Sequence, residues 1–280
     1  IRIGTPQAPF VVGAEYRADK HMASKYALAV EALKARAAVA VVEGEWSTKA
    51  LEVLSSSDPN SPQRNTRALY RSFGGQVAQW VQEYLGARVS LGDVIEDIGR
   101  AGVSHNPSRL LRPPYDDNFG DETSFRAAIG PTLPQHLALY NSYFDEHDVD
   151  LIILPAAYSA PPTLAQTADG TVPIESSDGS TTHLASVWPS VYPHNEACKS
   201  LHIPKLSVPT GMSADGRPTG IQLWGRALPY EEMFDDASST RHSVTFLHLA
   251  AQAVEAIHAD ADLRRVPPII LVPPPPFKRE

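Results

Sequence analysis

The chain of 280 residues has very little cysteine and no excess of positive charge. Cys198 is its only cysteine, so an internal disulfide framework is excluded. With 24 Lys and Arg against 32 Asp and Glu, the net charge is −8. Binding to nucleic acid or to an anionic membrane needs clustered Lys and Arg, so we expect neither partner. No apolar run approaches the roughly 20 residues that cross a bilayer, and we expect a soluble, cytoplasmic protein.

The sequence also lacks the short motifs of common nucleotide and hydrolase sites. It has no Gly-rich phosphate loop and no GxSxG nucleophile elbow. Two serine clusters, LSSSDP and ESSDGSTT, have the composition of turns and are interpreted as turns. The acidic stretch YDDNFGDE lacks the ligand spacing of a calcium loop, so we interpret it as solvated surface.

One spacing does suggest a metal or thiol site, because Cys198 has His194 and His202 four residues to either side. On a helix, positions i and i+8 lie about 12 Å apart along the axis. Zinc holds its ligands at roughly 2.0–2.3 Å, so one ion could take two of the three at most. We expect no metal and no cofactor. A buried cysteine is the favoured interpretation, and a Cys-His hydrolase is the alternative.

Hydrophobic periodicity predicts an α/β layered fold, and a length of 280 residues suits one large domain or two ordinary ones. The chain opens on the strand-like IRIG, and Asp19 then begins a helix that feeds the strand AVAVV. The helix face expected to be buried carries Met22, Tyr26, Ala29, Leu33 and Ala37. Since the first residue is Ile1 rather than Met, we also expect residues upstream of it.

The middle of the chain predicts two more helices and a buried strand. Ser61 and Pro62 begin a helix of about 25 residues, whose apolar face holds Leu69, Phe73, Val77, Trp80 and Tyr84. The segment LPQHLALYNSYFDEH predicts a helix that leads into VDLIILP, a strand buried on both faces. From Ala156 to about Trp188 the composition favours turns over regular structure.

The last third predicts a strand pair and a closing helix. KLSVP and TGIQLWG are strand candidates, and the dipeptide Asp215-Gly216 between them is typical of a hairpin. The segment SVTFLHLAAQAVEAI predicts a helix that is buried through Leu247, Ala250, Val254 and Ile257. Residues 266–280 are rich in proline and predict an extended tail.

The order of these patterns resembles the C-terminal part of the amidase signature family. The resemblance rests on VDLIILPAAYSAPP, IPKLSVPTGMSADGRPTGIQLWG and LAAQAVE in sequence, with IRIGTP, a helix and AVAVV before them. Within it, SLHIPKLSVPTG resembles the family's Leu-Gly-Leu-Pro turn into a central strand. His202 then stands where the family usually has glycine, and Lys199 stands where asparagine is common.

The resemblance implies a single α/β domain over residues 1–280 with a mixed sheet flanked by helices. It also implies amide hydrolysis by a serine nucleophile, a second serine in a cis peptide and a lysine. A hydroxyl needs a base to take its proton, and the oxyanion needs N–H donors, which the family draws from a Gly- and Ser-rich loop. No Gly-Gly-Ser-Ser stretch occurs in these 280 residues. We therefore expect no catalytic residue in this chain, and the triad is expected upstream or on a partner segment.

The same resemblance implies that loops after LIILP and before LSVP line an acyl-group pocket. We expect Tyr158, Trp188 and Tyr192 to form an apolar wall, with His194 and Asn195 as polar contacts. The partners expected are a small-molecule amide and an N-terminal catalytic segment or a second copy. The alternative is a non-catalytic small-molecule binding module.

Overall fold

A computed structural model describes the secondary structure of a large part of the chain. That part comprises residues 1–6, 19–50, 77, 79–84, 92–93, 96–97, 122–157, 172–175, 181–184, 201–213 and 216–264. In chain order its elements are β1 (Arg2–Thr5), α1 (Lys20–Lys34), β2 (Ala40–Glu43), α2 (Glu122–Ile129), α3 (Leu133–His147), β3 (Leu151–Pro155), β4 (Val172–Glu175), β5 (Thr181–Leu184), β6 (Lys205–Met212), β7 (Pro218–Gly225) and α4 (Asp236–His258). Two single 3₁₀ turns, Tyr230–Glu232 and Ala261–Leu263, flank α4. Among the helices of these ranges, none combines the length and the apolar character that a membrane span requires.

The core is a mixed five-stranded sheet in the order β2-β1-β3-β7-β6. Strands β2, β1 and β3 run parallel, while β7 runs antiparallel to both of its neighbours. Because β6 is therefore parallel to β3, the carboxyl ends of β1, β2, β3 and β6 lie at one edge of the sheet. The predicted α/β class and mixed sheet are confirmed.

Helices cover both faces of this sheet, which explains the continuous apolar run in β3. Leu151 and Ile153 belong to a cluster with α1 and α4, whereas Ile152 and Leu154 belong to a cluster with α3. All four side chains are at most 2% exposed. Alternate residues of a strand point to opposite faces, so a strand between two helical layers is apolar throughout. We call the two sides the α3 face and the α1/α4 face.

Several predicted elements are confirmed. The helix LPQHLALYNSYFDEH is α3, with proline in its first turn. Asp19 is the N-cap of α1, since its side chain accepts a hydrogen bond from the His21 N–H at 2.9 Å. KLSVP and TGIQLWG pair as the antiparallel β6 and β7, and Gly216 in their connection has φ +80°.

The prediction of turns from Ala156 to Trp188 was wrong in part. Val172–Glu175 and Thr181–Leu184 pair as an antiparallel hairpin. The segments TVPIE and STTHL hold β-branched residues whose strand propensity outweighs the turn-forming composition around them. The turn-rich composition of the region therefore hid two short strands.

Three predicted helix faces need correction. Ala37 lies beyond the end of α1 at Lys34 and is exposed. On α4, Leu247 is 53% exposed and Phe246 is buried instead. That helix begins earlier than predicted, because Asp235 caps it by accepting from the Ser238 N–H at 2.8 Å. An Ala-rich helix has too little contrast between its faces for periodicity to fix which side is buried.

The third of these faces belongs to the predicted helix after Ser61, which is described only near its end, where residues 77 and 79–84 are helical. There Trp80 and Tyr84 are 53% and 71% exposed, and Val81 is the buried residue. Val77, which was also predicted, is half-buried one turn before Val81, so the prediction was wrong at Trp80 and Tyr84. Leu69 and Phe73, and the predicted tail 266–280, lie outside the described residues.

Candidate functional site

The connections around β1 place a topological switch point at the carboxyl edge of the sheet, and we call the space outside the carboxyl ends of β1 and β3 the crevice. From β1 the chain passes through α1 on the α1/α4 face to β2, whereas it enters β3, the other neighbour of β1, from α3 on the α3 face. In open α/β sheets, the place where the strand order reverses, here between β1 and β3, is the topological switch point, and ligands bind just outside the carboxyl ends of the strands there. The carboxyl ends of β1 and β3 are therefore the candidate site.

The hydrogen bonds between β1 and β3 stop early at this edge. Their register pairs Ile3 with Leu151 and Gly4 with Ile152, and no further pair is formed between these two described strands. The Ala156 N–H donates to Gly220 of β7, so even-numbered residues of β3 face β7 and Ile153 faces β1. In this register the next donor to the Ile153 carbonyl is residue 6, a proline, which has no N–H. The two strands are thus free to part beyond Gly4.

Two tyrosine hydroxyls flank the end of β1 from opposite faces of the sheet. Tyr26 of α1 donates to the Ile153 carbonyl at 3.3 Å, and Tyr143 of α3 donates to the Gly44 carbonyl at 3.2 Å. Burial raises the pKa of the Tyr26 phenol above its usual value. Burial also raises the pKa of Tyr143, with smaller contributions from Tyr26 and Glu45. Both phenols are therefore neutral hydrogen-bond donors at physiological pH.

Threonine hydroxyls on β6 and β7 form the other end of this edge. Thr210 donates to Thr219 at 3.2 Å, and Thr219 donates to the Gly211 carbonyl at 3.1 Å. Both threonines are buried, and Gly211 has φ +93° beside an irregularity in the ladder. These hydroxyls bind one another and the backbone rather than a general base. The arrangement gives the edge a fixed, uncharged wall.

The five predicted pocket residues, Tyr158, Trp188, Tyr192, His194 and Asn195, lie outside the described residues. So do Cys198 and Lys199. Ala157, which directly precedes Tyr158, is 7% exposed just beyond the end of β3. The predicted pocket lining therefore stays a prediction.

His202 is described, and its backbone is left-handed with φ +51°. That region favours glycine, the residue that the resemblance places at this position. His202 connects Leu201 and Ile203, both buried in the α3-face cluster. Although part of the residue reaches the surface, desolvation by the surrounding protein lowers the pKa of its ring. The geometry explains the position as a tight turn into β6.

Sequence reasoning missed the residues that define this crevice. Tyr26 was predicted only as part of a buried helix face, Tyr143 was not singled out, and Pro6 was interpreted only as a break in the first apolar run. The available signal was the proline directly after the strand IRIGT, which marks where a ladder must end. Among the described residues, no group of three His, Cys, Asp or Glu side chains could hold a metal ion.

A cleft of about 440 Å³ lies at the opposite edge of the sheet. It is bounded by the end of α3 and the first half of α4. Asp145 and Arg226 at its rim form an ion pair at 2.7 Å, and His242 bonds the Arg226 carbonyl at 2.7 Å. The charged groups at the rim of this cleft are therefore largely bonded to partners within the chain.

Comparison with curated proteins finds relatives that are named amide hydrolases or amidotransferases. The chain is 29% identical over 182 residues to a glutamyl-tRNA(Gln) amidotransferase subunit of Granulibacter bethesdensis, covering 58% of this chain and 34% of that protein. It is 26% identical over 173 residues to the indoleacetamide hydrolase of Agrobacterium vitis, covering 61% and 33%. The chain thus spans only about a third of these relatives' length. No protein-family model matches it.

Among solved structures, 6-aminohexanoate cyclic dimer hydrolase superposes with a TM-score of 0.55 at 16% identity. The match covers 92% of this chain and 44% of that one. At this identity the likeness shows a shared α/β fold. The sequence matches and this shared fold support the resemblance of the chain to the C-terminal portion of the amidase signature enzymes.

Proposed function

We propose that this chain is the C-terminal part of an amide hydrolase and supplies the scaffold and one wall of its substrate cleft. The observation that carries the proposal is the similarity to curated relatives, one of which is named a hydrolase of indoleacetamide. The crevice between β1 and β3 supports it, because it gives this portion a ligand-binding edge. The charge of −8 and the lack of a basic cluster favour a small-molecule substrate.

The bond-breaking groups are assigned to residues outside this chain. Amide hydrolysis needs an activated nucleophile and donors for the oxyanion. The Gly- and Ser-rich loop that the family resemblance implies is absent from these 280 residues. The described threonine hydroxyls at the crevice edge are held by each other and by Gly211. We therefore infer that a Ser-cisSer-Lys triad lies on an upstream or partner segment.

The edges of the sheet support the need for such a segment. Within the described residues, β2 and β6 each pair on one side only. An open strand edge presents unpaired backbone groups that bind another strand. We infer that the catalytic segment, or a second copy, covers one of them.

The acyl-group pocket is proposed to be lined by Tyr158, Trp188 and Tyr192, with His194 and Asn195 as polar contacts. Aromatic rings bury a large area with few rotatable bonds, which suits an apolar substrate group. We expect Trp188→Ala to change the relative kcat/KM values for amides with small and large acyl groups. Equal kinetics across both classes would remove Trp188 from the pocket.

Two polypeptides are compared to test whether the bond-breaking groups lie outside these 280 residues. The first is these 280 residues alone, and the second is the native protein, whose full extent is established by mass spectrometry. We expect amide hydrolysis from the native protein only. Hydrolysis by the 280 residues alone would overturn the proposal, and its loss after alkylation of Cys198 would point to a Cys-His hydrolase. Ligand binding with no hydrolysis by either polypeptide would identify a non-catalytic module.

A further inference from the structure

The carboxyl end of β3 is held by a side chain at the point where its strand neighbour gives it no partner. We propose that Tyr26 is a positioning residue that fixes the width of the crevice between β1 and β3, and so the size of acyl group accepted. The specificity part of this inference rests on the proposed amide hydrolysis. The structural part stands on the geometry alone.

The Ile153 carbonyl needs a hydrogen-bond partner from outside the ladder. Ile153 is fully buried, and a buried carbonyl without a hydrogen bond is costly. The register of β1 and β3 offers it only Pro6, which cannot donate. β7 cannot serve, because the even-numbered residues of β3 face that strand.

Tyr26 is placed to supply that partner. Its hydroxyl lies 3.3 Å from the Ile153 oxygen, and its ring packs against the α1/α4-face cluster. The helix that carries it is anchored on either side by Met22 and Ala29, which are buried. Because its pKa is raised by burial, the phenol keeps its proton. The donor is thus rigid and permanent.

The hydrogen bond from Tyr26 acts on the ligand-binding edge through the end of β3. Two residues after Ile153, β3 ends at Pro155, and Ala156 and Ala157 leave the sheet there. Ala156 is tied to β7 by a 3.0 Å bond to the Gly220 carbonyl. Beyond the Gly4–Ile152 pair, no further pair of the described β1–β3 ladder holds this end of β3 towards β1, and the Tyr26 hydroxyl takes that place. Tyr26 therefore sets the crevice wall through Ile153 without contacting the substrate.

The test replaces Tyr26 by phenylalanine in the native protein, with Tyr140→Phe as the matched control. Tyr140 also donates to a backbone carbonyl, that of Gly225, at 2.8 Å, but at the opposite edge of the sheet. Amide hydrogen exchange is measured at Ile153 and Ala156. We expect faster exchange in Tyr26→Phe and no change there in Tyr140→Phe. Adding Pro6→Ala to Tyr26→Phe restores an N–H and should slow the exchange again.

The kinetic arm uses acetamide and phenylacetamide as substrates. In Tyr26→Phe we expect the ratio of their KM values to shift by about threefold to tenfold, the equivalent of one hydrogen bond, with kcat little changed. Tyr140→Phe should leave the ratio as it is. An unchanged ratio despite faster exchange would overturn the specificity role.

Exchange at Ile153 and Ala156 that is unaffected by Tyr26→Phe would overturn the positioning role altogether. So would a double variant with Pro6→Ala that regains no protection. If the native protein hydrolyses neither amide, the proposed function fails, while the exchange result still decides whether Tyr26 holds β3.

Discussion

The two faces of the five-stranded sheet are filled with different kinds of side chain. The α3 face is aromatic, and its rings carry polar tips. Tyr140 and Tyr143 bond the Gly225 and Gly44 carbonyls, and the Trp224 indole donates to Gln222 at 3.0 Å. The α1/α4 face is aliphatic and rich in alanine, with Ala29, Ala250 and Ala253 fully buried. Large amphipathic rings on one side tie loops to the sheet, while small side chains on the other let helices lie close.

Tyr26 brings a hydroxyl to the α1/α4-face cluster, and it does so beside the crevice. A polar group placed in an apolar layer needs a specific partner, which for Tyr26 is the Ile153 carbonyl. The contrast between the faces is what makes this residue stand out.

The largest effect is expected from Trp224→Ala on the α3 face. Trp224 is fully buried and packs in one cluster with Tyr140 and Phe144. Removing the ring leaves a cavity and takes away the indole that donates to Gln222, so the free energy of unfolding should fall by about 3–5 kcal/mol. Denaturant titration measures this loss in the free energy of unfolding. Trp80→Ala is the control, because Trp80 is 53% exposed and should cost far less. Equal losses in the two variants would contradict this packing.

A smaller effect is expected from Ala250→Leu on the α1/α4 face. Ala250 is 0% exposed among Phe246 and Ala253, so three added carbons must displace their neighbours. We expect a loss of about 1–3 kcal/mol in the free energy of unfolding, measured by the same titration. Ala251 is next to it and exposed, so Ala251→Leu should change stability by less than about 0.5 kcal/mol. A tolerated Ala250→Leu would mean that this face is loosely packed.

The smallest effect is a gain in stability from His202→Gly in the turn that serves the α3 face. The left-handed backbone of a non-glycine residue is strained, and relief is offset by the greater freedom of glycine when unfolded. We expect up to about 1 kcal/mol of stabilisation, seen as a higher midpoint of thermal unfolding. Asp148 has the same φ of +51° but forms an ion pair with Arg2 at 3.4 Å, so Asp148→Gly should gain less. The reverse order would show that the His202 ring makes contacts that outweigh its strain.

The local sequence was enough to predict a helix or strand where one signal dominated a segment. The bounds of α3 follow from a strong apolar period with a proline in the first turn, and the run LIILP identified the central strand. Hydrophobic patterns did not identify the buried face of a helix where its faces differ little in hydrophobicity. In the Ala-rich α4 the buried residue is Phe246 rather than Leu247, and near Val81 the predicted Trp80 and Tyr84 are exposed. The lining formed by Tyr158, Trp188 and Tyr192 lies outside the described residues and stays a prediction.

The sequence by itself determined the fold class of this protein, because strand and helix periods, turn residues and the order of motifs are properties of residues that are neighbours along the chain. Only the tertiary structure decided where the candidate site lies. The crevice depends on which strands are adjacent, and residues 3–4, 26 and 151–153 come together through that adjacency. Pro6 and Tyr26 are 20 positions apart in the sequence. Their spacing does not indicate that Tyr26 donates the hydrogen bond to Ile153 that Pro6, without an N–H, cannot donate.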